Sequence, residues 1–232
     1  MASSLPRRRS RIAIAALALL SVVAAIWSAA WGYASQQARA ADAAMSRWEA
    51  AHAPGGESEW PRVERQLRRA TRIDPFDADY AAALGRAYDW RALTEPPYTP
   101  HARHYRGEAI AWYRRAIALR PSWGFAWVHL AQAKVANQEL DGEAIAALDR
   151  AMRLGPWEAG TQIKALRLGV LLWDSLPEPV RERVNAVLTD AVQVQSRAVI
   201  DLMLPLGWGE RVRPLLQRPA DIRYFDSAVR RR

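Results

Sequence analysis

His101 and His104 stand three residues apart, and two imidazoles at that spacing on one helix face can share a metal ion. A metal shell needs more ligands than these. The 232 residues include no cysteine, and no acid near the pair completes a recognisable ligand set. The two are therefore expected as solvated loop histidines, with no metal and no other cofactor. His52 and His129 stand apart from them; His129 follows Trp127 and is expected to cap a groove or pack at its edge, not to titrate. Asp74, Asp77 and Asp79 would have to face one another across a cleft to hydrolyse a glycosidic bond. Clustered between helices, Asp77 or Asp79 serves better as an N-cap. The chain has no glycine-rich phosphate loop, no GxSxG and no HExxH. No catalytic residue is expected, and the chain reads as a non-enzyme.

Tryptophan is the more informative residue type. Of eleven, Trp60, Trp90, Trp112, Trp123, Trp127 and Trp157 fall in the middle of the chain. Flat rings of this kind stack on sugars, anchor protein partners or fill the gap between helices. Trp112 and Trp127 are expected in the inter-helix core. Trp90 ends a helix beside a proline-rich stretch, and with Arg86 and Gln132 it forms the expected partner-binding surface.

The elements that must position these residues are written twice. Gly107-Glu108-Ala109-Ile110 leads to Tyr113, Ala116, Ile117, Leu119 and Pro121; Gly142-Glu143-Ala144-Ile145 leads to Leu148, Ala151, Met152, Leu154 and Pro156, each 35 residues later. The first helix of each unit carries its own face at i, i+3, i+4 and i+7: Ala81, Leu84, Gly85 and Tyr88, then Trp127, Leu130, Ala131 and Lys134. Small residues such as Gly85, Ala109 and Ala116 suit close helix crossings, and Tyr88, Tyr113 and Leu148 fill the space between. Weaker units flank these two. One pairs a helix at 38–52 with the Leu67, Ala70, Ile73, Pro75 ending, across Pro54-Gly55-Gly56. The other begins at Ala165, Leu168, Gly169 and Leu172 and continues over 180–192, with a capping helix near 198–204. No segment alternates polar and apolar residues as a strand would, so the fold class is all-α.

This pattern resembles the tetratricopeptide repeat. Two departures stand out: Lys134 occupies a position where an aromatic is expected, and roughly a dozen extra residues, including Pro96, Pro97 and Pro100, separate the helices of the earlier unit as a surface excursion between Trp90 and Gly107. The resemblance implies a scaffold whose concave faces hold other molecules.

The formal charge of +9 invites a nucleic-acid reading, but its distribution excludes one. Arg7, Arg8, Arg9, Arg11 and Arg39 precede the first acid, Asp42, and Arg230, Arg231 and Arg232 end the chain, leaving the body near +1. Ile12 to Tyr33 holds no charge and is long enough to cross a bilayer. Basic residues before it put the N-terminus in the cytoplasm and the bulk of the chain in the periplasm; Trp27, Trp31 and Tyr33 suit the headgroup layer. A cleaved signal peptide fits less well, because the apolar run is long and Ala38-Arg39-Ala40 lies too far beyond it. The expected organisation is a basic cytoplasmic tail at 1–11, a transmembrane helix at 12–33, a helical-repeat domain at 38–204 and a C-terminal tail of unassigned structure at 205–232.

A narrower resemblance covers roughly Ile73 to Trp173. It is carried by Tyr113-Arg114-Arg115-Ala116-Ile117-Ala118-Leu119-Arg120-Pro121, then Ser122-Trp123-Gly124-Phe125-Ala126-Trp127-Val128-His129-Leu130-Ala131, then Leu154-Gly155-Pro156-Trp157-Glu158 and Trp173. The chain resembles the VpsP-type proteins of bacterial exopolysaccharide gene clusters. That resemblance implies a single-pass inner-membrane protein serving capsule or exopolysaccharide biosynthesis or export, with partners among that machinery or a glycan. It brings no catalytic residues. The alternatives are a general envelope-assembly or chaperone-type factor, for cytochrome maturation or secretion, and a polysaccharide-modifying enzyme.

Overall fold

A computed structural model describes residues 5–56, 58–155 and 158–231, with side chains from residue 13 onward. The helices are α1 (Leu5–Ala51), α2 (Glu59–Ile73), α3 (Ala78–Ala92), α4 (Pro100–Leu119), α5 (Gly124–Ala136), α6 (Gly142–Leu154), α7 (Ala159–Leu171), α8 (Glu178–Met203), α9 (Gly209–Val212) and α10 (Pro219–Arg230). Short 3-10 turns lie at Trp173–Ser175 and Arg213–Leu215, and no strand occurs among the described residues. The protein is all-α, one long apolar N-terminal helix followed by paired helices. The expected helix stop at Pro156, Trp157, Arg232 and the side chains of Arg7, Arg8, Arg9 and Arg11 lie outside the described residues. The chain divides into two compact units, with the boundary inside α3 after Leu84.

In the first unit, α1 is long and apolar enough to cross a membrane. Its apolar side chains from Ile14 to Tyr33 are exposed, and from Ala34 onward one face becomes buried at Ala41, Ala44, Met45 and Trp48. The helix expected at 38–52 is therefore the unbroken continuation of the apolar segment. α2 packs against α1 with Val63, Leu67 and Ala70 buried. Trp48 Nε1 donates to Glu59 Oε2 at 3.0 Å across the hairpin. The Trp48 ring covers Gly55 so closely that a Cβ there would come within 2.2 Å of it. That contact, more than turn flexibility, explains the glycine.

In the second unit α4 packs on α5, α5 on α6, and α7 on α8. Crossings are close where small residues were expected. A Cβ on Gly85 would meet the Tyr113 ring at 2.6 Å, and one on Gly169 would meet Val184 at the same distance. Tyr113 is fully buried and hydrogen-bonded through its hydroxyl, so the ring cannot swing aside cheaply. Gly85→Ala is expected to lose about 1 kcal/mol: overpacking costs about 1–3 kcal/mol, and the better helix propensity of alanine returns up to about 1. Thermal melting of the variant checks this; unchanged melting would mean that Tyr113 yields.

The stretch between Trp90 and Gly107 differs from expectation. It is mostly helix. The Thr99 hydroxyl accepts from Ala102 N at 3.2 Å and Pro100 supplies the first helical position, so α4 starts before Gly107 and runs for 20 residues against 13 in α6. Only residues 93–99 remain as a turn, with Tyr98 at φ +68°. His101 and His104 accordingly lie exposed on the first turns of α4, not in a loop.

α8 is bent at Gln195, whose φ/ψ of −138°/48° leaves the helix, so the expected 180–192 helix and the 198–204 cap appear as its two halves. Beyond residue 204, the stretch left unassigned from sequence contains α9 and α10, both packed on α8. Phe225 is buried, and the Tyr224 hydroxyl donates to Asp201 at 2.8 Å.

Candidate binding face

Four helices send polar side chains to one place. Tyr113 of α4, His129 of α5, Lys164 of α7 and Asp89 of α3 form a chain of contacts: Lys164 Nζ to His129 Nε2 at 3.0 Å, His129 Nδ1 to Tyr113 Oη at 3.4 Å, and Tyr113 Oη to Asp89 Oδ2 at 2.7 Å. The proton positions follow from donor counts. A lysine ammonium only donates, so His129 Nε2 accepts and its proton sits on Nδ1, facing the tyrosine oxygen. The Tyr113 hydroxyl is then left to donate to Asp89. All donors point the same way along the chain.

Burial sets the protonation of His129, Tyr113 and Asp89. It pushes His129 well below the usual imidazole range, with Lys164 and Arg86 adding repulsion, so the ring stays neutral. Burial first, then the Asp89 charge and hydrogen bond, hold the Tyr113 hydroxyl well above its ordinary value. Asp89 is pushed up to about 7 by burial, against the Tyr113 hydrogen bond and the charges of Arg106 and Lys164. A carboxyl group that titrates near neutrality thus lies at the end of a fixed polar chain.

Aromatic rings continue from this chain towards solvent. Phe125, one turn before His129 on α5, lies tilted over the imidazole with ring centres 4.3 Å apart. Trp123 stacks on Phe125 at 5.0 Å and an interplanar angle of 19°. Lys164 Nζ lies 5.5 Å from the Phe125 centroid and the Arg120 guanidinium 4.7 Å from that of Trp123. Both rings are half-buried. Half-exposed ring faces beside fixed cations suit ligands with flat apolar patches and acidic groups.

Of the three residues expected at the binding surface, Arg86 is close enough to act electrostatically on both Tyr113 and His129. Trp90 lies one turn after Arg86 on α3 and Gln132 one turn after His129 on α5, and both are half-buried. His129, expected to cap a groove or pack at its edge, is buried at the centre of the network. Trp112 and Trp127, expected as core, are half-buried: Arg115 covers one ring, Arg150 covers the other, and Trp127 Nε1 donates to the Pro121 carbonyl at 2.8 Å. Sequence reasoning missed Asp89, Phe125 and Lys164. The Phe125/His129 pair, four apart on one helix face, was the available signal.

Elsewhere, Lys134 is 2 % exposed and its Nζ meets Glu139 at 3.2 Å, Asp141 at 2.9 Å and Glu143 at 2.7 Å. Arg114 of α4 adds a two-pronged contact to Glu143, at 2.8 and 2.6 Å. This cluster ties α4, α5 and α6 together. Asp77 Oδ1 accepts from the amides of Asp79 and Tyr80 and caps α3. Among the described residues no group of three or more His, Asp or Glu side chains is placed to hold a metal ion. No family model matches this chain, and no curated protein matches it.

Proposed function

We propose that this protein is a non-enzymatic, membrane-anchored adaptor. Its tetratricopeptide-like scaffold lies on the periplasmic side of a bacterial inner membrane and serves exopolysaccharide biosynthesis or export, the role implied by the VpsP-type resemblance. The observation that carries the binding role is the cation–aromatic face: Trp123 and Phe125 flanked by Arg120 and Lys164, seated on a buried polar chain that fixes its geometry. Such a face fits an acidic glycan or an aromatic-rich segment of a partner protein. The apolar N-terminal helix supports the anchoring, and tethering raises the effective concentration of the scaffold near membrane-bound partners.

The test is capture of native polymer and of membrane partners by the full chain in detergent, comparing the natural protein with Arg86→Ala, Trp90→Ala and Phe125→Ala. Phe125→Ala, Arg86→Ala and Trp90→Ala are each expected to weaken capture about tenfold or more. Helix content should be unchanged in all three. Undiminished capture by Phe125→Ala and Arg86→Ala would reject this face. Broad capture of denatured polypeptides would indicate an envelope chaperone instead.

A further inference from the structure

The exposed apolar stretch of α1 ends at Tyr33, and the next residue, Ala34, is buried. From the far end of the hairpin α2 returns along α1 for 15 residues, about 22 Å at the helical rise. The turn between α2 and α3, residues 74–77, therefore comes back to the level at which α1 leaves its apolar stretch. A hydrogen bond fixes that level: Ser35 Oγ and Tyr80 Oη are 3.2 Å apart. At the tip of this turn stands Phe76. It is 81 % exposed, more than any other large apolar side chain among the described residues. The turn beneath it is stiff, with Pro75 before the ring and the Phe76 amide donating to Asp74 Oδ1 at 3.1 Å.

Between α1 and this turn lies a cleft of about 330 Å³, lined by Ser35, Ala38, Arg39, Asp77, Asp79 and Tyr80. That volume is in the range of small-ligand sites. Its lining is divided in charge, with a guanidinium on α1 and two carboxylates at the start of α3. Ser35 and Arg39 lie two and six residues beyond Tyr33, which for a membrane-spanning α1 is the headgroup layer.

We propose that the α2–α3 turn docks on the bilayer in which α1 is set. Phe76 enters the interfacial layer, and the cleft holds the headgroup of an ethanolamine phospholipid, with Arg39 on the phosphate and Asp77 and Asp79 on the ammonium. Charge complementarity selects this headgroup. An ammonium offers three N–H donors to the carboxylates, whereas a choline headgroup offers none and a glycerol headgroup brings no cation. The proposal rests on the reading of α1 as a membrane span.

The chain contains no cysteine, so single cysteines can carry a polarity-sensitive fluorophore in the full protein reconstituted in nanodiscs. Val23→Cys tests the span, Phe76→Cys tests the turn, and Ala50→Cys, at the far end of the hairpin, is the aqueous control. Positions 23 and 76 are expected to be quenched by lipid-borne quenchers, and position 50 is not. An aqueous signal at 76 with a lipid signal at 23 overturns the docking; an aqueous signal at 23 overturns the span itself. Lipid retained on the protein after purification from mixed ethanolamine, choline and glycerol phospholipids tests the headgroup. Ethanolamine lipid is expected to be enriched, with retention falling about tenfold in Arg39→Ala and in Asp79→Asn. Asp77 is left intact because it caps α3. Equal retention of choline and ethanolamine lipids, or retention unaffected by both variants, overturns the headgroup assignment.

Discussion

Lys134→Ala is expected to destabilise the second unit by about 3 kcal/mol at neutral pH, because it leaves three carboxylates together with their central cation gone. Nζ of the buried lysine touches Glu139, Asp141 and Glu143 within 3.2 Å. Burial alone would lower the Lys134 pKa, yet the hydrogen bonds its ammonium donates to Glu143, Asp141 and Glu139 outweigh it and raise it. The carboxylates are 38–54 % exposed, so solvent screens their mutual repulsion and holds the loss to the lower end of the 3–5 kcal/mol range for a broken buried pair.

The pH dependence distinguishes this electrostatic cause from a simple cavity. Glu143 is held at about 2, first by the Arg114 hydrogen bond and then by Lys134, against an ordinary value of 4.5. Its contribution is present above about 4.5 and is lost as pH falls from there through 2. In Lys134→Ala the repelling carboxylates gain by protonation, so the deficit relative to the natural protein should shrink between pH 7 and pH 4. Chemical denaturation at the two pH values measures it. A deficit independent of pH would mean that lost packing, not charge, is responsible.

Asp89→Asn is expected to stabilise the protein at pH 8 by about 2 kcal/mol and to have little effect at pH 4. The folded pKa of about 7 lies above the ordinary 3.8 because burial penalises the carboxylate. A raised pKa makes the contribution of Asp89 fully present below 3.8, and it is lost as pH rises through 7. Three units at about 1.4 kcal/mol each would give about 4 kcal/mol. Solvent still reaches part of this half-buried side chain, which reduces the expected effect to about half of that. Asparagine keeps an oxygen to accept the Tyr113 hydroxyl, so the hydrogen-bonded chain survives. Urea midpoints at pH 4, 6 and 8 check the trend. A stabilisation that does not grow with pH would show that Asp89 is ionised without penalty in the fold.

The helix pairs were legible because their marks are local. Gly85, Gly169 and the alanines at close crossings are spaced along single helices, and the 35-residue repeat sets the phase of α4 and α6. The unbroken join within α1 has an equally local basis, since nothing between Tyr33 and Ala38 stops a helix. The early start of α4 was not, because the aligned Gly107 looked like a boundary while the operative signal was the Thr99-Pro100 cap. Lys134 drew attention as a misplaced residue in an apolar face, but its partners lie in the following turn and the next helix. The polar chain was least visible of all. Asp89, Tyr113, His129 and Lys164 come from four different helices, and no spacing within one helix marks their convergence. Of the expected surface, Arg86 acts electrostatically on Tyr113 and His129 of that chain.

The central claim, a membrane-tethered adaptor in exopolysaccharide production, is tested most directly by sugar analysis of cell-surface and secreted polymer in a clean deletion strain. Complementation uses the full protein, the Phe125→Ala variant and a form lacking the N-terminal helix. Loss or shortening of polymer, restored by the full protein but not by the other two, is the predicted result. Normal polymer in the deletion strain would contradict it.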